Sequence, residues 1–276
     1  MKTAWLIVVL AALAVPIFGK NFGSIEVKGV GTVYVLGPDW TAGNVEMLPN
    51  GFALNGGGRV YLGSQPNDGM DPNMYWQTPL MEKHFAYTLD LSRVGCHCNA
   101  AGYFINMPGP AGGDGGDYYC DANYVGSQWC PEYDTLESNK YTVAGTLHTC
   151  QGSPGNWYDC DRGGCQNNAF YVDSNMYCPE DRCTINTNKP FIVSHYQTNQ
   201  IANIWMSQEG RTADFNFCSD AGYAAKMAES YGGMVFSASL WGGNGINMDW
   251  LDGMTGCWEQ CDIANSRVVF TDFELW

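Results

Sequence analysis

The chain has 276 residues, 34 of them glycine and 14% aromatic, and carries a net charge of -15 from 13 basic and 28 acidic side chains. That charge argues against nucleic acid and anionic membranes as partners and favours a neutral substrate. The glycine and aromatic content points to many turns and an aromatic-lined surface, not to disorder.

Met1-Lys2-Thr3 precedes an apolar run from Ala4 to Phe18, with small residues at Ala14 and Gly19. This pattern reads as a secretory signal peptide over residues 1–19, cleaved after Gly19. The run is short for a membrane span, and no later stretch qualifies. Residues 20–276 then form one secreted domain of about 255 residues, enough for a sizeable core. Twelve cysteines in such a chain imply six disulfides, each adding about 2–4 kcal/mol. Cys96-His97-Cys98 looks superficially like a ligand cluster, but its spacing fits no common zinc pattern. Neither a metal site nor an organic cofactor motif is visible. The chain shows no repeat, linker or oligomer signal and reads as a monomer.

Short β-runs open the mature chain: 32–36, 44–48, 51–54 and 59–62, separated by Gly-, Pro- and Asn-rich turns. A polar loop over 63–75 leads to strands at 85–91 and 103–107. The Gly-rich segment 108–117 has no Gly-Lys-Ser/Thr after it, so it reads as a surface loop and not as a phosphate cradle. Residues 150–183 read as disulfide-stapled loops, and 190–198 and 203–207 as adjacent strands. One helix is expected over 218–231, with Ser219 or Asp220 as N-cap and Gly232-Gly233 as the stop. Strands at 233–241, 246–251 and 267–275 close the sheet. Many short strands and one short helix predict an all-β fold, an antiparallel β-sandwich.

The stretch between Cys130 and Asn139 holds Glu132, Asp134 and Glu137 as Glu-x-Asp-x-x-Glu. On a strand, Glu132 and Asp134 share a face, because side chains alternate. Glu137 joins them only if one extra residue, a β-bulge, intervenes. Five strand steps span roughly 16 Å; after the bulge and the inward lean of both side chains, the two glutamate carboxyls stand roughly 5–7 Å apart. That suits a retaining glycosidase, in which one carboxylate attacks the sugar and the other protonates the leaving oxygen. Asp134, between them, is placed to orient the nucleophile and to separate the two pKa values. The alternative is a polar strand face with three solvated acids. His148, eleven residues past Glu137, is a candidate to bond the acid/base glutamate. His84, His97 and His195 have no evident partners. Trp241 and Trp250, around a Gly-rich turn, are candidate platforms for sugar rings; core packing is the other reading. Tyr103 and Asn99 follow the same logic.

These residues fall at the spacings of a known family. Glu132, Asp134, Glu137, Asn139, His148 and Cys150 resemble the catalytic segment of glycoside hydrolase family 7, a family of cellobiohydrolases and endo-β-1,4-glucanases on a β-jelly-roll sandwich. Asn99 to Phe104, Tyr119-Cys120-Asp121, Asn188 to Val193, Gly233 to Asp252 and Val268 to Thr271 are similar to further family segments, so the resemblance covers about residues 50–275. It implies Glu132 as nucleophile, Glu137 as general acid/base, Asp134 as the nucleophile's partner and His148 as support. It also implies Asn99, Tyr103 and Asp121 on the substrate side of the cleft, with Trp241 and Trp250 as sugar platforms. The pairings it implies are Cys96–Cys257, Cys120–Cys130, Cys150–Cys178, Cys160–Cys165 and Cys183–Cys218, leaving Cys98 with Cys261. The sequence departs from the family at Trp129, Ala122, Leu136, Gly242-Gly243 and Met254-Thr255, and it is shorter, with trimmed loops. The expectation is a secreted, retaining endo-β-1,4-glucanase with an open cleft and a β-glucan substrate. A family 16-like β-1,3- or mixed-linkage glucanase and a non-catalytic carbohydrate-binding or cell-wall protein are the alternatives.

Overall fold

The computed structural model describes residues 19–276 except 67, 111, 114, 115 and 244. The expected signal peptide lies almost wholly outside the described residues. No helix among them is long and apolar enough to cross a membrane.

Two antiparallel sheets face each other. The first, here the cleft sheet, has eight strands in the order β1 (Lys20–Val27), β2 (Gly31–Gly37), β5 (Gly58–Gly63), β18 (Val235–Gly242), β7 (Cys98–Ile105), β8 (Glu132–Ser138), β9 (Val143–His148) and β12 (Cys165–Asn168). The second has seven: β17 (Arg211–Asn216), β16 (Ala202–Gln208), β15 (Phe191–Gln197), β6 (His84–Asp90), β19 (Arg267–Leu275), β4 (Gly51–Asn55) and β3 (Val45–Leu48). Two small pairs decorate the loops: β10 (Gln151–Ser153) with β11 (Asn156–Tyr158), and β13 (Tyr177–Cys178) with β14 (Ile185–Asn186). The helices among the described residues are short: α1 (Ala169–Val172), α2 (Ala221–Ala228) and α3 (Asp249–Asp252).

Alternation along the strands builds the interior. Phe85 and Tyr87 on β6, Phe52 on β4, and Phe270 and Phe273 on β19 meet Phe104 on β7 and Phe236 on β18, all essentially inaccessible to water. Phe85 lies 5.1 Å, centroid to centroid, from both Phe104 and Phe236. Each ring buried this way contributes about 1.5–3 kcal/mol from apolar area alone. The opposite face of the cleft sheet is then free to carry polar groups.

Most expected strands appear within a residue or two of their expected bounds. Three assignments change. The β7 strand starts at Cys98, not 103, because Cys98 and Asn99 pair with Gly242 and Trp241 on β18. Residues 246–251 are not a strand: Asn247 Oδ1 accepts the Asp249 N–H at 2.7 Å and opens the turn of α3. The helix expected over 218–231 is reduced to α2, whose first amides, those of Gly222 and Tyr223, are capped by Asp220. Strand β17 went unrecognised, since its exposed Thr212 and Asp214 alternate with only two buried residues, Ala213 and Phe215.

The bulge is present in β8. Asp134 pairs with Thr146 and Glu137 with Ala144, so three steps on β8 match two on β9. The same offset appears against β7, between the pairs Phe104–Tyr133 and Gly102–Leu136. Thr135 and Leu136 together oppose Gly145. The Thr135 hydroxyl donates to the Gly102 carbonyl at 2.7 Å and pins the bulge. A Cβ on Gly145 would come 2.1 Å from the Phe217 ring. Gly145→Ala should therefore cost about 1–3 kcal/mol through overpacking. Gly95→Ala, where a Cβ meets nothing within 4 Å, should be near neutral. Urea denaturation of the two variants checks the difference.

Candidate active site

With the bulge in place, Glu132, Asp134 and Glu137 all point away from the core into a cleft of about 890 Å³ across the eight-stranded sheet. The intervening Tyr133, Thr135 and Leu136 are fully buried on the other side. The neighbouring strands add Arg59 from β5, Ser239 and Trp241 from β18, Tyr103 from β7, Thr146 and His148 from β9 and Gln166 from β12. Each sits at a position its strand's alternation sends to this face.

The acids are held by different partners. Glu132 Oε2 accepts the backbone N–H of Ala122 at 3.0 Å. Glu137 Oε1 accepts the Asn99 side-chain amide at 2.9 Å. Asp134 Oδ2 stands 3.1 Å from His148 Nε2, and His148 Nδ1 donates to the carbonyl of Asp161 at 2.8 Å. His148 thus bonds Asp134, not the acid/base glutamate for which it was the candidate. Burial would lower the His148 pKa, but the bond and charge of Asp134, helped by Glu132, hold it up to about 10. The ring is a cation. Glu132 lies well above the usual carboxylate range, through burial first and then the charges of Asp134 and Asp121. Glu137 is raised to about 8, by burial and then by Asp134, against the opposing Asn99 bond and the His148 charge. Burial and the Asp134 charge thus hold both glutamates protonated to higher pH than a free carboxyl.

Glu132, Asp134 and His148 are the one trio among the described residues with ligand atoms close enough for a metal, all within 4.8 Å. Both imidazole nitrogens, however, are spent as N–H donors, so no lone pair faces the trio.

The expected binding residues separate into two groups. Tyr103, Asp121, Trp241 and Trp250 line the cleft. Asp121 is fixed by the amides of Asn123 and Val125 at 2.8 and 3.0 Å. Trp241 and Trp250 are 37% and 44% exposed, so their rings are open to a ligand and are not core. Asn99 is placed otherwise. It is fully buried, with Nδ2 on Glu137 and Oδ1 accepting the Ser138 N–H at 3.1 Å. It positions an acid and does not line the wall. Asn139 has a similar task. Its amide donates to Asp252 Oδ2 at 2.7 Å, and that same oxygen accepts the His97 N–H at 2.7 Å. The end of β8 is thereby tied to α3, which carries Trp250, and His97 acquires the partner it lacked in the sequence. Arg59, Trp40, Tyr119 and Arg162 also line the cleft without having been recognised. Arg59 lies 3.5 Å over the Tyr119 ring and 3.3 Å from Asp117. Its alternation with Tyr61 was the available signal.

Three of the expected disulfides form: Cys96–Cys257 and Cys120–Cys130, as the resemblance implied, and Cys98–Cys261 between the two cysteines it left over. The other six cysteines re-pair as Cys150–Cys160, Cys165–Cys218 and Cys178–Cys183. The pairings Cys150–Cys178, Cys160–Cys165 and Cys183–Cys218 are overturned. The β10–β11 hairpin returns the chain so that Cys160 meets Cys150. Cys165 opens edge strand β12, where Asn167 bonds the Asn216 carbonyl beside Cys218. Cys178 and Cys183 close the turn between the parallel β13 and β14.

No protein-family model matches the chain. It is 28% identical over 253 residues to a probable endo-β-1,4-glucanase celB of Aspergillus clavatus, covering 70% of this chain and 59% of that protein. Among solved structures, the Humicola insolens endocellulase EGI superposes with a TM-score of 0.70 at 21% identity, over 86% of this chain and 79% of that one. A family 7 cellobiohydrolase from Daphnia pulex gives 0.69 at 19% identity, over 86% and 81%. The chain is a shortened relative of glycoside hydrolase family 7. Its sandwich is the family 7 jelly roll.

A raised acid in this family 7 relative bears on stability. Between pH 4.5 and about 8 the folded protein keeps a proton on Glu137 that the unfolded chain releases, so that contribution weakens as pH rises through this window. Glu137→Gln removes this share of the dependence and leaves that of Glu132. The variant should gain Tm relative to the parent as pH goes from 4.5 to 8, on the order of 10 °C, as read by calorimetry across that range.

Proposed function

We propose that the chain is a secreted, retaining endo-β-1,4-glucanase that hydrolyses β-glucan in an open cleft. One observation carries this reading: Glu132, Asp134 and Glu137 share one face across the bulge, at the floor of a cleft that also holds exposed Trp241 and Trp250. The rings offer flat apolar faces to successive pyranose units. Glu132, oriented by the Ala122 amide, attacks the anomeric carbon. Glu137 delivers its proton to the departing glycosidic oxygen. A glycosyl-enzyme results. Glu137, now a carboxylate, takes a proton from water, which attacks the same carbon and releases Glu132. The Asp134–His148 ion pair keeps the reacting carboxyls from facing a second full negative charge.

Endo-cleavage is supported by the exposure of both tryptophans along the cleft. The neutral polysaccharide suits a protein of net charge -15. The six disulfides are those of a protein made for an oxidising, extracellular setting.

The test uses the mature protein and Glu132→Gln on carboxymethylcellulose, mixed-linkage β-glucan, xyloglucan and laminarin, following reducing ends and viscosity. A rapid viscosity drop on a β-1,4-linked glucan is expected. The variant should lose at least about 10³-fold in kcat, since nucleophile and acid act as a unit. Cleavage of laminarin alone would move the specificity to β-1,3 links. Binding to insoluble glucan with no release of sugar would replace hydrolysis with a binding role. Activity should fall above about pH 8, as Glu137 loses its proton.

A further inference from the structure

His148 is held from behind as well as by Asp134. The carbonyl that accepts its Nδ1–H belongs to the loop 161–164, which runs between two disulfide-bonded cysteines, Cys160 and Cys165. The Asp161 N–H donates to the Thr149 carbonyl at 2.8 Å. The Asp161 carboxylate accepts the Gly163 N–H at 3.0 Å on one oxygen and the Tyr223 hydroxyl at 3.0 Å on the other. The Tyr223 oxygen in turn accepts the Thr149 N–H at 3.3 Å. Gly164, at φ +62, approaches the imidazole so closely that a Cβ there would lie 2.8 Å from His148 Nδ1. Tyr223 stands in the first turn of α2, five residues beyond Cys218, which ties the loop's far end to the segment leading into that helix.

We propose that Tyr223 is a positioning residue for the hydrolytic site: through the Asp161 side chain it fixes the loop carbonyl on His148 Nδ1, and so fixes the imidazolium against Asp134. This rests on the reading of the cleft as a hydrolytic site. The charged groups that interact with His148 are Glu132, Asp134 and Glu137 from β8 and Asp161 from the loop; Tyr223 from α2 reaches it through Asp161. The cation offsets the charges of both glutamates. A loosened loop takes the carbonyl off Nδ1, lowers the affinity of the ring for its proton and leaves both glutamates harder to ionise. The nucleophile then needs a higher pH to become anionic, and the acid keeps its proton to a higher pH.

The experiment compares the parent with Tyr223→Phe, Asp161→Ala and Lys226→Ala. It records kcat and KM across pH on the best glucan, and titrates His148 by NMR of the labelled imidazole. The parent imidazolium should persist to about pH 10. Tyr223→Phe keeps the ring and loses one hydroxyl; kcat at the parent's optimum should fall about fivefold with KM unchanged. Its whole pH profile should move to higher pH, and His148 should titrate at lower pH. Asp161→Ala should do the same, and Lys226→Ala, half-buried on the same helix and paired with Glu229, should do neither. A Tyr223→Phe profile that only scales, with unchanged His148 titration, would overturn the proposal. A parent inactive on every glucan would defeat the hydrolytic reading, and the His148 titration would still decide whether Tyr223 braces the ring.

Discussion

One extra residue in β8 decides what this molecule can do. Without it, Glu137 would enter the core and Leu136 would face the cleft. Burying an unpaired carboxylate costs several kcal/mol or forces it neutral. The bulge is stable because its neighbours accommodate it. Thr135 is tied to the Gly102 carbonyl, and Gly145 leaves room for the Phe217 ring where two residues face one. Glycines on both flanking strands therefore belong to the site although neither touches it. A strand also fixes its side chains more tightly than a loop does, which matters where carboxyls must act in concert.

Charge balance is the second constraint. Three acids lie together on a floor that excludes much of the water. The one cation bonded to them, His148, is committed to Asp134. That cation offsets part of the Asp134 charge, which still adds to burial in raising both glutamates. Backbone and amide donors set the asymmetry: an Ala122 N–H on Glu132 and an Asn99 amide on Glu137. Ala122, one of the positions where the sequence departs from the family pattern, has no side-chain donor, and its main-chain amide is what meets Glu132.

The disulfides serve the site as much as the fold. Cys96–Cys257 and Cys98–Cys261 bind the start of β7 to the segment after α3, beside the Asn139–Asp252 bond that sets Trp250. Cys150–Cys160 and Cys165–Cys218 bracket the loop behind His148. Such links restrict the unfolded chain as well as the segments they close. Family resemblance located the cysteines but mispaired half of them. Pairing depends on where the β10–β11 hairpin and the β13–β14 pair bring the backbone, and neither has a strong local signature.

Some of this was legible in the amino-acid order alone. Period-2 alternation depends on neighbouring residues only, so the strands and the need for a bulge between Asp134 and Glu137 could be read directly. So could the polar face on which the carboxylates lie. Composition determined a turn-rich, disulfide-bearing β-protein of acidic surface. Tertiary structure decided what depends on chain segments far apart in sequence. It turned Asn99 from a wall residue into a support for Glu137, moved His148 from the acid/base to Asp134, and added Arg59 and Trp40 to the cleft. It also converted 246–251 from a strand to a helical turn. A side chain's partner is set by which strands become neighbours, and strand order in a sandwich is fixed by the packing of the whole core, not by any local run of residues.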